Sequence, residues 1–270
     1  MEGAWNDMEL DIFPYRDTGT GVLKGVDEIM AVLDEQVTLT QAMMFSAFKG
    51  PFEQRIDDWN HKLFIVSEVL ESWLEVQRNW MYLSPIFESP DINKQLPAEG
   101  KKFANVDKNW KQTISATKHN KKIISFCSNE KLLEKFKTSA ILLDQVQKGL
   151  NEYLETKRGV FARFYFLSND ELLEILAETK DPLKVQPHLK KCFDGMAKLK
   201  FESNLDITAC FDPKGEKLDF PYEKVNHKKI NPNDSGGNVE KWLIEVEAMM
   251  KKSLAYAIDF SMQDSVKTER

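Results

Sequence analysis

The sequence predicts a mainly α-helical protein, an elongated bundle of long antiparallel helices with one small β-hairpin near residues 205–220. Glycine and proline are sparse, with 12 and 10 residues in a chain of 270, and they fall at the ends of periodic segments, where helices stop. Apolar residues recur at intervals of three and four along two long stretches, which is the spacing of a buried helix face. Hydrophobic residues form 42% of the chain, enough for a sizeable core.

Three segments follow one another along the chain. Residues 1–50 are an acidic lead with the first helices, residues 51–200 hold the core of long helices, and residues 201–270 hold the hairpin, a polar loop and a final helix. We expect the three segments to form one continuous, elongated element.

The most regular stretch begins at Pro51 and continues to Pro85. Apolar residues between positions 52 and 80 alternate at spacings of four and three, which is a heptad pattern. Proline suits the first turn of a helix, and Pro85 ends the pattern. We therefore predict one helix of about thirty residues, about 45 Å long at 1.5 Å per residue.

Three tryptophans, Trp59, Trp73 and Trp80, lie on the predicted buried face of this helix. Their bulk favours packing among several helices over a two-stranded zipper. Gln77 is the single polar break in the stripe, and it either fixes the helix register or reaches the edge of the bundle.

A second long helix is predicted from about residue 129 to residue 158, and its similar length suggests that it is an antiparallel neighbour of the first. Turn residues and changes of period place the shorter elements. These are a connector at 84–97, a helix over 103–114, a polar break at 118–122, an aromatic connector at 161–167, a helix over 169–177 opened by a capping box of Ser168 and Glu171, a helix over 186–193, two strands at 205–211 and 216–220 around a turn at 212–215, and a final helix over 239–258.

Composition and charge argue against several classes of protein. The net charge of −6 argues against a nucleic-acid partner, and no apolar run approaches the ~18 residues of a membrane span. The start of the chain carries acids where a signal peptide has basic and apolar regions, so a cytoplasmic location is expected. Three widely spaced cysteines without a CxxC motif fit neither a disulfide framework nor a zinc site.

The sequence offers no motif for catalysis, for a cofactor or for a metal. A phosphate-binding loop is missing, so nucleotide binding by this chain is not expected. His188 and Cys192 stand four residues apart on a predicted helix, but a zinc site needs three or four ligands. The carboxylates of Glu68, Glu71 and Glu75 share a helix face, which is better explained by solvation than by acid–base chemistry.

Residues 180–200 form a basic stretch with six lysines and two aspartates. Such a cluster meets an acidic partner surface, less readily a nucleic acid, or is an ordinary solvated face. The residues that would form the contact are Lys184, His188, Lys190 and Lys191.

Residues 73–87 provide the first specific signal. They are Trp-Leu-Glu-Val-Gln-Arg-Asn-Trp-Met-Tyr-Leu-Ser-Pro-Ile-Phe, which resembles the Trp-x-x-Val-Gln-x-x-Trp-x-Tyr-Leu-x-x-Ile-Phe stretch of dynein heavy chains. Segments 158–167, 168–176 and 185–193 fall in the same order as in that family, and the last two resemble its axonemal branch in particular. Ala162 departs from the axonemal pattern, which commonly has proline there, and is more like cytoplasmic dyneins.

This resemblance implies that the chain is part of the linker, the helical rod that precedes the first ATPase module of the heavy chain. A linker is a non-catalytic lever that couples ATP-driven changes of the ATPase ring to movement along microtubules. ATP and Mg would then be bound by the ring modules, which are the direct partners. The tail and accessory dynein chains would be indirect partners, and the microtubule would be reached only through the parent protein.

The resemblance also implies a place in the cytoskeleton of the cytoplasm, in the axoneme of cilia or flagella. The candidate hinge residues, chosen where the helical stripes stop, are Gly50, Pro51, Pro85 and Pro97, and the basic cluster at 180–200 is the candidate ring-contact face. Two alternatives come from other classes: an independent helical scaffold that binds an acidic protein, and a helical enzyme that uses Cys192 with His188.

Overall fold

A computed structural model of the chain describes residues 2–5, 7–177 and 181–267. The α-helices are α1 (Val26–Met44), α2 (Glu53–Phe87), α3 (Pro90–Gln95), α4 (Pro97–Thr117), α5 (Ile123–Cys127), α6 (Glu130–Val160), α7 (Asn169–Ala177), α8 (Leu189–Cys192) and α9 (Val239–Lys267). The strands are β1 (Asp11–Pro14), β2 (Gly21–Lys24), β3 (Lys198–Phe201), β4 (Ile207–Phe211) and β5 (Lys217–Asp219). The mainly α fold with small β elements is as predicted. Among the described residues, no helix combines the length and apolarity that a bilayer crossing demands.

The chain divides into two compact units. The first contains residues 1–88 and 96–149, and the second contains residues 89–95 and 150–270. The division cuts α6 between positions 149 and 150, and it assigns the short helix α3 to the second unit. Lys180, the first lysine of the predicted basic cluster, lies outside the described residues.

In the first unit, α2 and α4 pack as antiparallel neighbours. Phe87 of α2 stacks on Phe103 at 5.2 Å between ring centroids, and Trp80 stacks on Trp110 at 5.2 Å. Residue numbers therefore increase in opposite directions along α2 and α4. This arrangement brings the aromatic side chains of both helices into one core.

The predicted pairing of the two longest helices is wrong in direction. Nε2 of His61 lies 3.3 Å from Oε1 of Glu130, and Nζ of Lys137 lies 2.8 Å from Oε2 of Glu68. Residue numbers increase in the same direction along α2 and α6, so the two helices run parallel where they meet. The reason is that α4 intervenes and reverses the chain once more, which similarity of length cannot reveal.

The buried stripe of α2 is shorter than the heptad pattern predicted. Leu63, Trp73 and Trp80 are fully buried, whereas Trp59 is only partly buried and Phe52 is 60% exposed. The first turns of α2 therefore present apolar side chains to solvent.

Residues 11–24 form an antiparallel hairpin that was not predicted. In this hairpin β1 pairs with β2, with Ile12 opposite Leu23, and Gly19 in the turn has a φ of 69°. Each strand has four residues, and such a short segment does not show a clear alternation of apolar and polar residues in the sequence.

The second unit contains a three-stranded antiparallel sheet in the order β3-β4-β5. The hairpin of β4 and β5 confirms the one predicted near residues 205–220, and Gly215 in its turn has a φ of 89°. Strand β3 adds a further partner, with Leu199 opposite Cys210. The predicted helix over 186–193 is instead a 3-10 turn at Pro182–His188 followed by the single turn of α8.

Candidate functional site

The aromatic core of the first unit is centred on Trp73, which is completely buried. Its ring centroid lies 5.1 Å from that of Phe136, 5.9 Å from that of Phe126 and 6.4 Å from that of Trp110. Since these partners come from α4, α5 and α6, one side chain of α2 joins four helices. Tilted and edge-on ring pairs add about 0.5–1.5 kcal/mol each beyond area burial.

Gln77, the polar break in the apolar stripe, binds the backbone of strand β2. Its Nε2 donates to the carbonyl of Leu23 at 2.9 Å, and its Oε1 accepts from the Leu23 amide at 2.7 Å. The side-chain amide thus takes the place of a neighbouring strand and satisfies both backbone groups of a buried residue. Gln77 is thus buried and bound to a strand, so it does not lie at an exposed edge of the bundle, and a role in helix register stays a prediction.

Pro85 lies inside the last turn of α2, which continues to Phe87, so it does not end the helix as predicted. A proline has no N–H for the carbonyl four residues earlier, here that of Met81. The hydroxyl of Tyr15 donates to this carbonyl at 3.4 Å. The Met81 carbonyl, which the proline leaves without its helical partner, is thereby bound by a side chain from outside the helix.

The other three candidate hinge residues lie at helix starts. Gly50 and Pro51 belong to a 3-10 turn, Gly50–Phe52, that joins the end of α1 to α2. A Cβ atom on Gly50 would meet no atom within 4 Å, so packing does not require glycine there. Pro97 is the first residue of α4, where the missing N–H of proline has no intrahelical partner to lose. None of these observations tests bending, so the hinge remains a prediction.

The candidate ring-contact residues have different environments in the second unit. Lys184 and Lys190 are exposed, whereas His188 is 9% exposed and its Nε2 lies 3.4 Å from Oε2 of Glu174. The imidazole is therefore mostly inside the unit, and the exposed part of the cluster consists of lysine.

Lys191 is exposed but forms an ion pair with Glu171 at the start of α7. The lysine ammonium, followed by the Ser168 amide, lowers the pKa of the Glu171 carboxyl to about 2. Glu171 and Ser168 also form the predicted capping box, since each backbone N–H donates to the side chain of the other, at 3.0 and 3.3 Å. Lys191 is thus part of a local network as well as of the exposed basic surface.

An open groove of about 760 Å³ lies beside this basic surface. It is lined by Pro187, Lys190, Lys198, Phe211 and Pro213 among others. In the described part of the chain neither Lys190 nor Lys198 forms an ion pair. Asp212 also lines the groove, so two ammonium groups face one carboxylate, and the remaining positive charge suits an acidic segment of polypeptide.

Gln186 repeats in the second unit what Gln77 does in the first. Its Oε1 accepts from the Leu199 amide at 2.9 Å, and its Nε2 donates to the Leu199 carbonyl at 3.1 Å. The backbone N–H and C=O groups of Leu199 on the outer edge of β3 therefore both have hydrogen-bond partners, and these bonds hold the strand against the residues that carry the exposed lysines.

Arg158 is an organising residue that the sequence analysis missed. It is 8% exposed, and its guanidinium donates to the carbonyls of Phe164 and Leu167 and to the side chains of Asn169 and Glu155. These bonds hold the aromatic segment that leads from α6 to α7. No spacing rule finds such a residue, because most of its acceptors are carbonyls or side chains of a following irregular turn.

A second buried charge lies next to Arg158. Nζ of Lys157 pairs with Oε1 of Glu240, and both side chains are mostly buried. Burial, together with the charge of Glu240, raises the pKa of Tyr153 to about 12. The pair joins the end of α6 to the first turn of α9, where a carboxylate is favoured by the helix dipole.

The thiols are buried, and two of the glutamates considered for chemistry are bound to neighbouring side chains. Burial raises the pKa of Cys127 to about 12 and that of Cys192 to about 11, so at neutral pH both are protonated and poorly nucleophilic. Glu68 is paired with Lys137, and Glu71 accepts from the hydroxyl of Ser67 at 3.2 Å. Within residues 2–5, 7–177 and 181–267, no three metal-binding side chains converge.

The described residues thus form helices joined by buried aromatic side chains, with exposed lysines on the second unit. Residues 1–261 match the family described as Dynein heavy chain, N-terminal region 2, and the chain belongs to this family. The family assignment made from residues 73–87 is thereby confirmed.

Relatives with axonemal names are similar over almost the whole chain. Dynein axonemal heavy chain 1 of Mus musculus is 46% identical over 263 residues, which are 97% of this chain and 6% of the relative. Dynein axonemal heavy chain 12 of Mus musculus is 48% identical over 254 residues, 94% of this chain and 8% of the relative. Dynein axonemal heavy chain 3 of Homo sapiens is 44% identical over 270 residues, 100% of this chain and 6% of the relative. The chain therefore spans less than a tenth of the length of these proteins.

Proposed function

We propose that this chain is a non-catalytic mechanical linker of a dynein motor, a lever that couples ATP-driven changes of the ATPase ring to movement along microtubules. The observation that carries the proposal is the match of residues 1–261 to the N-terminal region of dynein heavy chains. The axonemal names of the relatives support a place in the axoneme of cilia or flagella, within the cytoskeleton.

The packing of the first unit suits a part that transmits force. Trp73 contacts side chains of three other helices, so bending α2 near this residue would disturb several close-packed contacts together. Flexure is then expected where this packing ends. The 3-10 turn at Gly50–Phe52 and the proline-containing last turn of α2 are such positions.

The exposed lysines of the second unit are the surface that we assign to the ATPase ring modules of the same heavy chain. Lys184 and Lys190 are available to solvent, and the groove beside Lys190 suits acidic side chains. The tail and accessory dynein chains are then indirect partners, and the microtubule is reached through the parent protein. ATP and Mg are assigned to the ring modules and not to this chain.

Cross-linking of a complete motor tests the lever. The heavy chain is treated with an amine-reactive cross-linker in a nucleotide-free state and with ADP and vanadate. Cross-links from Lys184 and Lys190 to the ring should differ between the two states, whereas links from the exposed Lys131 within its own unit should not. Identical ring links in both states would contradict the proposal.

Calorimetry tests the assignment of nucleotide to the ring. Titration of the 270-residue chain with MgATP should give no binding heat, and micromolar binding would contradict it.

The groove with Lys190 and Lys198 also supports the second candidate function, an independent scaffold that binds an acidic protein. The two functions make different predictions. A scaffold binds its acidic partner tightly as an isolated chain and regardless of nucleotide, whereas a lever makes contacts that change with the nucleotide state. The cross-linking experiment therefore distinguishes them.

A further inference from the structure

We propose that a cleft between the β1–β2 hairpin and the end of α4 binds a phosphoryl group carried by a serine or threonine side chain of a partner polypeptide. The cleft has a volume of about 430 Å³, and its lining residues all belong to the first unit. Arg16 lies in the turn between β1 and β2. Lys111 and Ser115 lie on α4 and Lys118 directly follows it, at spacings of four and three that share one helix face.

The charged side chains that line the cleft in the described part of the chain are all basic: Arg16, Lys111 and Lys118. Lys111 pairs with Asp107 at 2.7 Å. Among the described residues, Arg16 and Lys118 form no ion pair. Asp17, which follows Arg16, is exposed and does not line the cleft. The arginine and one of the lysines are therefore available to an anion.

The backbone of Arg16 adopts a conformation that is uncommon for its residue type. Its φ is 45°, in the left-handed region that asparagine and glycine enter more readily. The guanidinium carbon lies 5.2 Å from the ring centroid of Tyr15, whose hydroxyl is bound to the Met81 carbonyl. Unfavourable backbone conformations are concentrated at functional positions, and here one places an arginine over an anchored ring beside the cleft.

A phosphoryl monoester suits this arrangement better than a carboxylate does. It has a charge of about −1.5 to −2 at neutral pH and three acceptor oxygens. Arginine can bind phosphate through two parallel N–H bonds, and lysine binds it as a point charge. The exposed hydroxyl of Ser115 donates no hydrogen bond within the described residues and supplies a further donor. Ile12 and Pro14 also line the cleft, and their apolar surface favours a phosphorylated polypeptide over a free phosphate ion.

The end of α4 opposes an anion, because the last carbonyls of a helix carry a partial charge of about −0.5. These carbonyls accept hydrogen bonds within the chain: Ile114 from the Thr117 hydroxyl, Ser115 from the Lys118 amide and Ala116 from the His119 amide. The full charges of Arg16 and Lys118 exceed this partial charge, so the cleft still favours an anion.

Binding of model peptides tests the proposal. The probe is a fluorescein-labelled peptide of about nine residues with a central phosphoserine among alanine and leucine residues. Two counterparts carry serine or glutamate at the centre. Fluorescence anisotropy with the 270-residue chain should show saturable binding of the phosphopeptide, weakened by added salt. Each counterpart should bind at least about tenfold more weakly. Inorganic phosphate should displace the probe only at a concentration at least about tenfold above that of unlabelled phosphopeptide.

Two variants locate the binding. Arg16→Asn and Lys118→Gln should each weaken the phosphopeptide at least about tenfold. Asparagine adopts a positive φ readily, so Arg16→Asn should keep the urea midpoint of the unchanged chain, whereas a merely structural arginine would lower it when replaced. The matched control is Lys108→Gln, which removes an exposed lysine of α4 outside the cleft lining and should bind as the unchanged chain does.

Four outcomes would overturn the proposal. Equal binding of the serine peptide would show that the phosphoryl group is not recognised. Equal binding of the glutamate peptide would assign the cleft to an ordinary acidic segment. Displacement by inorganic phosphate as effective as by unlabelled phosphopeptide would reduce the cleft to a site for a free ion. An equal loss of binding with Lys108→Gln would place the interaction elsewhere on the surface.

Discussion

Replacing Gln77 by leucine removes the only side chain that pairs with the backbone of Leu23 among the hydrogen bonds of the described residues. Gln77 is 8% exposed and Leu23 is 2% exposed, so water does not readily replace the lost partner. The carbonyl and the amide of Leu23 are then both left without a hydrogen bond inside the protein.

The size of the effect follows from these two groups. An unsatisfied buried polar group costs about 1–3 kcal/mol, so the pair costs about 2–6 kcal/mol. Burial of the leucine side chain offsets about 1.5–3 kcal/mol of this. We therefore expect Gln77→Leu to lower the free energy of unfolding by about 0.5–3 kcal/mol.

Urea denaturation followed by circular dichroism measures this free energy. The matched control is Gln145→Leu, an exposed position of α6, which should change stability by no more than about 0.5 kcal/mol. Gln77→Glu adds a second readout, because a protonated carboxyl has both a donor and an acceptor and should regain stability at acidic pH. A Gln77→Leu protein as stable as the unchanged chain would refute the reasoning.

Other parts of the molecule give further expected outcomes. Trp73→Ala should cost about 3–5 kcal/mol, the range for large-to-alanine changes in a core, and an unmoved urea midpoint would contradict its core position. Arg158→Met should cost about 2–4 kcal/mol, because several buried acceptors lose their donor, and should speed proteolysis within residues 161–168; unchanged cleavage would argue against this role. The thiol of Cys127, whose pKa burial raises to about 12, should resist alkylation at pH 8 until the chain is unfolded in urea, and rapid labelling of the native chain would disprove its burial. The free energy of unfolding should fall as the pH rises from about 10 to about 12. The reason is that the pKa of Tyr153 is about 12 in the folded chain and about 10 in the unfolded chain, so only the unfolded chain loses this proton in that range. An identical pH profile for Tyr153→Phe would rule out this origin.

The long helices were predictable because their burial repeats with the helical period. The heptad spacing between residues 52 and 80 identified α2, and the capping box of Ser168 and Glu171 located the start of α7. The predictions failed where a helix end depends on a distant residue. The termination of α2 at Pro85 was wrong, since the carbonyl freed by the proline accepts from Tyr15.

The orientation of α6 and the side-chain contacts at the edge of β3 could not be predicted from the sequence for a similar reason. The orientation of α6 against α2 depends on the number of intervening reversals and not on length. Gln186 has no pattern that distinguishes it from a solvated glutamine, although it completes the edge of β3. For the candidate ring-contact face, the sequence identified the lysines but could not show that His188 lies largely inside the unit.

The stacked indoles of Trp80 and Trp110, with 20° between their planes, have a spectroscopic consequence. Two chromophores held this close are expected to share excitation, which gives a near-ultraviolet dichroic band that depends on their separation and angle. Since one indole belongs to α2 and the other to α4, any sliding or tilting of these helices would alter that band. The circular dichroism of this tryptophan pair would therefore report a movement of α2 against α4 without any added label.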